Sequence, residues 1–378
     1  MIPFIKEKKS LFTEIHIADL HFGCAIEPQV EYKILSEQFL VPIQSISFDI
    51  MSINGDFFDH KVMANSDVAM YGCMFAKDCV DMCREKGATL LIIMGTESHD
   101  AGQLKLFYHY MNDPSVDVRI IESARFEMIK GKRVLCLPEE YNMGADYYGQ
   151  LLYYSGWYDS VYMHGTIKDS VYGAYKMDLN GDRAIFDLEN FCYCKGPIIS
   201  GHVHTPMCLR SHMYYTGSPL RYKFGEEEAK GFTVLIHNID TGQYYYHFQE
   251  IQSFRYDTIN LDYMCNSDPK DIVAHVKQLQ LQGIHNIRLE FTVDSSVVNV
   301  LKNFYRTNPS VKIKDDRENR LSGSTSEVIT DVAGDDEMYS FLLDPDITEY
   351  DKLTRYINIC KGFAYITTEE LMEILEGE

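Results

Sequence analysis

The stretch Ser52-Ile53-Asn54-Gly55-Asp56-Phe57-Phe58-Asp59 contains a Gly-Asp turn directly after a predicted buried strand. Open α/β sheets bind their ligands at the C-terminal ends of the strands. We therefore expect Asp56 to point into a crevice, and Asp59, one turn further on, to orient a neighbouring side chain. A single turn of this kind is more often an ordinary connection, so its meaning depends on the rest of the chain.

Aspartate and histidine recur at the ends of other predicted strands. They stand in Asp19-Leu20-His21, in Ser98-His99-Asp100, at His164, and in His202-Val203-His204. Because neighbouring parallel strands end at one edge of a sheet, these side chains are expected to converge. One histidine at a strand end is usually structural, but five strand ends that carry Asp or His predict a polynuclear metal site.

The predicted ligands are Asp19, His21, Asp56, His164, His202 and His204. Carboxylates and imidazoles without a thiolate suit Mn²⁺, Fe or Zn²⁺ better than Ca²⁺. These ligands are too many for one ion with open positions, but they fit two ions bridged by Asp56. Two ions about 3.5–4 Å apart bind the attacking and leaving oxygens of a phosphoryl displacement. His99 would donate a proton to the leaving oxygen, with its tautomer fixed by the adjacent Asp100.

The order of the predicted elements is typical of an α/β fold. Up to about residue 100, strands alternate with helices at 31–46 and 66–86, as in a parallel sheet with helical crossovers. Short strands follow as far as residue 250, and we expect two sheets packed face to face with helices outside. The predicted domains are 1–253 for this sandwich, 254–314 for a small α+β domain, 315–336 for a linker and 337–378 for a helical tail.

The composition is that of a globular protein with an acidic balance. The 378 residues carry a formal net charge of −21, and the last 48 positions hold 13 acidic and 3 basic residues. This charge weakens a nucleic-acid function without excluding it. The chain has no apolar run of membrane-spanning length, the basic residues near its start are not followed by the apolar stretch of a secretion signal, and its ten cysteines lack framework spacing. We therefore expect a cytoplasmic protein that does not bind membranes.

The order of these motifs resembles the calcineurin-like metallophosphoesterase superfamily. The matching motifs are Asp-x-His, Gly-Asp-x-x-Asp, a Gly turn ending in His-Asp, His-Gly and Gly-His-x-His, between about residues 12 and 250. Within that superfamily, the segment from Gly217-Ser218-Pro219-Leu220-Arg221-Tyr222-Lys223 through Phe232 resembles SbcD-type DNA repair nucleases. The resemblance implies a metallophosphoesterase sandwich, with residues 254–314 in the position of the family's capping domain.

The resemblance also implies a function, a cofactor and partners. Two Mn²⁺ ions would be bound, one by Asp19, His21, Asp56 and His204, the other by Asp56, His164 and His202. The activity would be 3′→5′ exonuclease and endonuclease cleavage at DNA ends in repair or recombination. The chain would work as a homodimer, through helices near residues 29–46 and 65–86, with an SbcC-type ATPase that binds the C-terminal helices. Arg221 and Lys223 are candidate contacts to DNA phosphates.

One turn departs from the family pattern. The family has Gly-Asn-His-Asp, whose Asn is a metal ligand, whereas this chain has Gly95-Thr96-Glu97-Ser98-His99-Asp100, two residues longer. Ser98 stands where the Asn would be and is a weaker ligand, although Glu97 or a water molecule could take its place. The departure puts the affinity of the second metal in question.

Two alternatives remain open at this point. The same site could hydrolyse a small phosphodiester or phosphomonoester, for which an additional domain would be unnecessary. The chain could also be a weakly active scaffold that binds DNA ends. In that case the purified chain would contain less than a full complement of metal.

Overall fold

The computed structural model describes residues 11–315, apart from 25, 141–142, 144, 169–184, 210–211, 227, 265–266, 282–283, 285, 292–295 and 307–310. The predicted linker beyond Asp315 and the predicted tail, 337–378, lie outside the described residues. Contacts divide the chain into a large unit, Met1–Leu289 with Ser296–Ile313, and a second unit. The second unit is Glu290–Ser295 with Lys314–Glu378, and in its described part Lys314 lies 3.5 Å from the Glu290 carboxylate. The proposed domain boundaries stay predictions.

The first sheet has six strands in the order β14-β13-β1-β2-β3-β4. They are β1 (Leu11–Ile17), β2 (Ile50–Asn54), β3 (Thr89–Ile93), β4 (Asp117–Ile121), β13 (Gly231–Asn238) and β14 (Gln243–Glu250). Strands β1 to β4 are parallel, and β13 and β14 add an antiparallel hairpin beside β1. The β2 and β3 segments are buried along their whole length, as the near-continuous apolar run of β3 predicts for that strand.

The second sheet also has six strands, in the order β11-β12-β10-β7-β6-β5. They are β5 (Arg125–Ile129), β6 (Lys132–Leu137), β7 (Ser160–His164), β10 (Ile198–Gly201), β11 (Met207–Leu209) and β12 (Met213–Tyr215). Strand β12 is antiparallel to β11, a strand that we did not predict, and parallel to β10.

Helices connect the strands of the first sheet. They are α1 (Pro28–Leu35), α2 (Val41–Ile43), α3 (Asp67–Lys86) and α4 (Glu97–Asp100). Between α1 and α2 the chain forms a wider π turn just before Pro42, which has no N–H to continue the helix. The side chain of Ser66 accepts a hydrogen bond from Ala69 N at the start of α3, and Gly87 ends that helix at a φ of 62°.

The remaining elements are shorter. They are the parallel pair β8 (Thr166–Ile167) and β9 (Ile185–Phe186), helix α5 (Gly149–Tyr153), and 3₁₀ turns at Leu104–Asn112, Ala145–Tyr148, Leu188–Phe191 and Leu261–Met264. After these, β15 (Tyr256–Asn260), β16 (Asn286–Phe291) and β17 (Val311–Asp315) form a sheet in that order, with α6 (Pro269–Leu281) and α7 (Ser296–Tyr305).

The two large sheets pack face to face. Their shared core includes Ile50 and Leu91 from the first sheet and Val134 and Ile199 from the second, all fully buried. Helices α1 and α3 cover the outer face of the first sheet, while α5 and the 188–191 turn cover the outer face of the second. The predicted helix–sheet–sheet–helix sandwich is therefore confirmed. In the described part of the chain, no helix is both long and apolar enough to cross a bilayer.

A buried ion pair joins the sheets across this core. Lys132 Nζ on β6 lies 2.5 Å from Glu14 Oε1 on β1, and the other Glu14 oxygen accepts a hydrogen bond from Tyr162 at 2.7 Å. Burial by itself would raise the pKa of the Glu14 carboxyl, but Lys132 and His16 outweigh it and lower the pKa to about 2. The carboxylate therefore stays charged, and its stability depends on its partners.

We predict that Lys132→Met destabilises the fold by about 3–5 kcal/mol, because it leaves the Glu14 charge buried without its cation. Urea unfolding at pH 7 measures this. The double variant Glu14→Gln/Lys132→Met should recover much of the loss, whereas Lys77→Met, at an exposed pair with Asp81, should behave as wild type. Equal losses in the single and double variants would contradict the prediction.

Glu31 is a second buried carboxyl group, on the inner face of α1. Burial raises its pKa well above the ordinary value, the Gly23 amide opposes this shift, and the charge of Asp59 adds to it. The folded state therefore holds a proton that the unfolded chain releases above about pH 4.3. This group stabilises the fold fully below that pH, and its contribution is lost as the pH rises towards the folded-state pKa.

We predict that Glu31→Gln raises the free energy of unfolding at pH 7 relative to wild type, and that the difference shrinks as the pH falls to about 4. The amide has a similar shape and carries no charge. Urea unfolding at several pH values measures the difference, with exposed Glu37→Gln as the matched control. A difference that is constant with pH would show that Glu31 is not protonated in the folded state.

Candidate metal centre

The fold brings all of the predicted ligands together at one edge of the sandwich. Asp19 and His21 follow β1, Asp56 follows β2, His164 ends β7, and the two remaining histidines follow β10. Side chains with mutually close ligand atoms form three groups. These are Asp19, His21 and His204; His21, Asp56 and His99; and Asp56, His164 and His202. Two groups share Asp56, and two share His21.

Asp56 lies in the middle of the cluster. Its Oδ2 atom is 3.7 Å from His21 Nε2, 3.3 Å from His164 Nε2 and 3.1 Å from His99 Nδ1. Its Oδ1 atom accepts a hydrogen bond from Thr96 N at 2.6 Å. Burial by itself would raise the pKa of Asp56, but His164 and the other imidazoles outweigh burial and lower the pKa well below its usual value.

Contacts on the far side of three of the imidazole rings favour one nitrogen facing the cluster. His164 Nδ1 donates to the Asn54 carbonyl at 2.9 Å, so its Nε2 faces Asp56. The Asp59 carboxylate lies 3.3 Å from His21 Nδ1, as expected of a residue that orients a neighbour. Glu226, at 3.2 Å from His204 Nδ1, has the same role. Such outer contacts are typical of metal-binding histidines.

The ligand turns have an unusual backbone. Asp19, His21, Asp56 and His202 have φ values of 53°, 51°, 51° and 83°. Among the described residues, only one other non-glycine residue, Lys130, has a positive φ. Left-handed backbone costs about 1–2 kcal/mol per residue, and such strain is concentrated at functional sites.

Two glycines allow the turns to approach each other. A Cβ atom on Gly55, whose φ is 88°, would overlap the His164 ring, and one on Gly95 would overlap the backbone and carboxylate of Asp56. No larger residue fits at either position without moving a predicted ligand.

The electrostatics of the cluster fit a cation. Burial would lower the pKa of His164, but the carboxylates of Asp56, Asp19 and Glu139 outweigh burial and raise the pKa to about 10. His21 and His204 face each other with their Nε2 atoms 3.0 Å apart, close to the spacing of two ligands on one ion with bonds of about 2.1 Å. The cluster could therefore hold a metal ion.

Comparisons with known proteins include two solved structures of low similarity. A scan of protein-family models finds no match, and a search of curated proteins also finds no match. One solved crystal structure, of a protein that is not named, has a TM-score of 0.40 and 10% identity, covering 64% of this chain and 100% of the other. Another is Pseudomonas putida nuclease MPE, with a TM-score of 0.24 and 13% identity, covering 58% of this chain and 83% of the other. Both are too distant to assign a function, and the superfamily stays a prediction.

Asp100 does not contact His99 in the way we expected. Its Oδ1 atom accepts hydrogen bonds from Phe57 N and Phe58 N at 3.0 and 3.2 Å, and its Oδ2 atom accepts one from Gly95 N at 2.8 Å. Burial, with the charge of Asp56, raises the pKa of Asp100 to about 6 against these bonds. Asp100 therefore holds the turns together, while His99 faces Asp56 instead.

Ser98 does not take the place of an amide ligand. Ser98 and Glu97 are both exposed on α4, because the two additional residues form a helical turn that carries them outwards. Thr96 contacts the cluster instead: its hydroxyl donates to Glu139 at 2.9 Å, with Asp56 at 3.3 Å. We did not predict a role for Glu139, although it follows β6 by two residues, just as Asp19 follows β1.

Arg221, one of the two predicted phosphate contacts, binds the backbone of its own loop. Its Nε and Nη2 atoms donate to the carbonyls of Glu226 and Glu228 at 2.9 and 2.7 Å, so the guanidinium group holds its own loop. Lys223 is exposed. The same loop also contains Tyr222, whose hydroxyl donates to the carbonyls of Asp19 and Leu20.

A buried lysine completes the support of His204. Lys230 is fully buried, donates to the His204 carbonyl at 3.0 Å and lies 3.7 Å from Glu226. We did not predict these roles of Tyr222, Glu226 and Lys230, because they depend on how the loop folds back. The segment 217–232 therefore supports one side of the cluster.

We predict that Asp100→Ala destabilises the fold by about 3 kcal/mol, because it removes the acceptor of three buried N–H groups. His99→Ala, at a partly exposed neighbour in the same turn, should change the unfolding free energy by less than about 1 kcal/mol. Urea unfolding of both variants makes the comparison. Similar stabilities for the two variants would contradict the role of Asp100 in holding the turns.

Proposed function

We propose that this chain is a metal-dependent phosphoesterase that hydrolyses phosphodiester bonds. The observation that carries the proposal is Asp56. Its carboxylate lies 3.7 Å from His21, a member of one ligand group, and 3.3 Å from His164, a member of another. A shared carboxylate of this kind suits a pair of ions, and a pair suits phosphoryl transfer.

The residues around Asp56 would each have a defined part. Asp19, His21 and His204 would hold one ion, and His164 and His202 the other, with Asp56 shared. When bound, such ions lower the pKa of water and stabilise charge on the phosphate oxygens. His99, whose side chain is 25% exposed, lies at the solvent side of the cluster and would donate a proton to the leaving oxygen. Glu226 and Lys230 would hold His204 in position, and Tyr222 would hold the turn that carries Asp19.

The finer proposal is a Mn²⁺-dependent DNA nuclease. It is supported by the motif order and by the resemblance of segment 217–232 to SbcD-type nucleases. A homodimer and an SbcC-type ATPase partner belong to the same proposal. In that arrangement the partner would provide much of the surface that binds DNA, so an acidic nuclease chain would be tolerated.

The net charge favours a second candidate. A chain with a formal charge of −21 repels a polyanion more than it repels a small substrate. The same cluster could therefore hydrolyse a small phosphodiester.

The test is hydrolysis by the purified full chain in Mn²⁺, with end-labelled linear duplex DNA and bis-p-nitrophenyl phosphate as separate substrates. We predict cleavage of DNA by wild type and a loss of at least about 100-fold in His202→Ala, because a ligand is removed. His247→Ala, at an exposed histidine on β14, is the matched control and should keep full activity.

The outcomes separate the candidates. Turnover of the small ester without DNA cleavage would replace the nuclease by a small-substrate phosphodiesterase. If His202→Ala keeps the activity, the cluster is not the active site. Absence of turnover on both substrates, by a chain that binds no metal, would overturn the phosphoesterase proposal.

A further inference from the structure

Glu139 is a buried carboxylate beside the cluster. It follows β6 by two residues, is only 6% exposed, and its backbone N–H donates to the Met94 carbonyl at 3.4 Å. This contact attaches the end of β6, in the second sheet, to the end of β3, in the first. The position is therefore set by both sheets.

The side chain of Glu139 faces two of the predicted ligands. Its Oε2 atom lies 3.9 Å from His164 Nε2 and 3.9 Å from His202 Nδ1, and those two nitrogens are 3.3 Å apart. Ligands on one ion with bonds of about 2.1 Å lie about 3.0–3.4 Å apart. The Glu139 oxygen is only slightly further away than a bound ligand would be.

Thr96 holds this oxygen in place. Its hydroxyl donates to Glu139 Oε2 at 2.9 Å, while its backbone N–H donates to Asp56. One residue thus contacts the carboxylates of both Asp56 and Glu139, which each lie near His164 Nε2. Carboxylate oxygens are preferred ligands of Mg²⁺ and Mn²⁺.

We propose that Glu139 is a protein ligand of the ion held by Asp56, His164 and His202. The inference rests on the metal centre of the proposed function. Glu139 brings to that ion a negative charge and a hard oxygen from the second sheet, in place of a ligand from the α4 turn. The α4 turn then contributes only Thr96, which positions Glu139.

The test is Mn²⁺ binding by the metal-free full chain without substrate, measured by isothermal titration calorimetry. We predict two ions per wild-type chain. In Glu139→Gln, which keeps the size of the side chain, the site of Asp56, His164 and His202 should lose at least about tenfold in affinity for Mn²⁺. Glu139→Ala should lose more. The matched control is Glu97→Gln, which removes the exposed carboxylate of the α4 turn and should bind as wild type.

A second readout separates a ligand from a nearby charge. The visible absorption of bound Co²⁺ depends on the atoms that coordinate it, so Glu139→Gln should change the spectrum of the second ion. An unchanged spectrum, or two ions at wild-type affinity in both Glu139 variants, would overturn the proposal. So would a wild-type chain that binds at most one ion. If Glu139→Ala does not fold, the Glu139→Gln result decides.

Metal binding is measured without hydrolysis, so a failure of this proposal can be told apart from a failure of the proposed function. A chain with two Glu139-dependent ions that hydrolyses neither substrate would contradict the phosphoesterase but leave the ligand assignment intact. A hydrolase whose metal binding is insensitive to Glu139 would do the reverse.

Discussion

The site depends on the position of one carboxylate, Asp56. Its two oxygens are only 2.6–3.7 Å from the Thr96 N–H and from the imidazoles of His21, His99 and His164. These partners come from the ends of β1, β3 and β7, so the contacts require strands of both sheets to end at the same edge. The charge of Asp56 is stable in its buried position because several imidazoles surround it.

The backbone around Asp56 explains how such a turn persists in spite of its strain. The hydrogen bonding between β1 and β2 continues beyond both strands, from Asp19 N to the Gly55 carbonyl and from His21 N to the Asp56 carbonyl, each at 3.0 Å. The two ligand turns are therefore joined by the same ladder that joins the strands. Further bonds, from the Asp100 carboxylate and the Tyr222 hydroxyl, hold the turns from either side. These hydrogen bonds hold the left-handed residues in their strained conformation.

Much of the fold and of the cluster could be predicted from the sequence, because burial and alternation are local properties. A buried strand was predicted before Asp56 and another before the 95–100 turn, where β2 and β3 lie. The ligands were found because each follows a predicted strand. The partners of Asp100 and Arg221 could not be predicted in this way. Both side chains bind backbone groups that approach them only after the loops have folded, and sequence spacing says nothing about such groups.

The turn at 95–100 shows the same limit for insertions. Two additional residues displaced Ser98 to the surface, and the polar contact to Asp56 passed to Thr96. Motif alignment places residues by their order along the chain, whereas a helical turn places them by angle. An aligned residue therefore need not occupy the aligned position in space, and Glu139, from another strand, provides a carboxylate beside His164 and His202.

Polar contacts also extend from the cluster into the sandwich core. His164 donates to the Asn54 carbonyl, the Asn54 side chain lies 3.5 Å from His16, and His16 contacts Glu14, which pairs with Lys132. These residues lie on β7, β2, β1 and β6, the strands that end in Asp19, Asp56, His164 and Glu139. In a β-strand, a shift of register by one residue moves every side chain to the opposite face. Such a shift would separate Glu14 from Lys132 and leave both charges buried without partners, so the ion pair disfavours the registers in which the ligands would not meet.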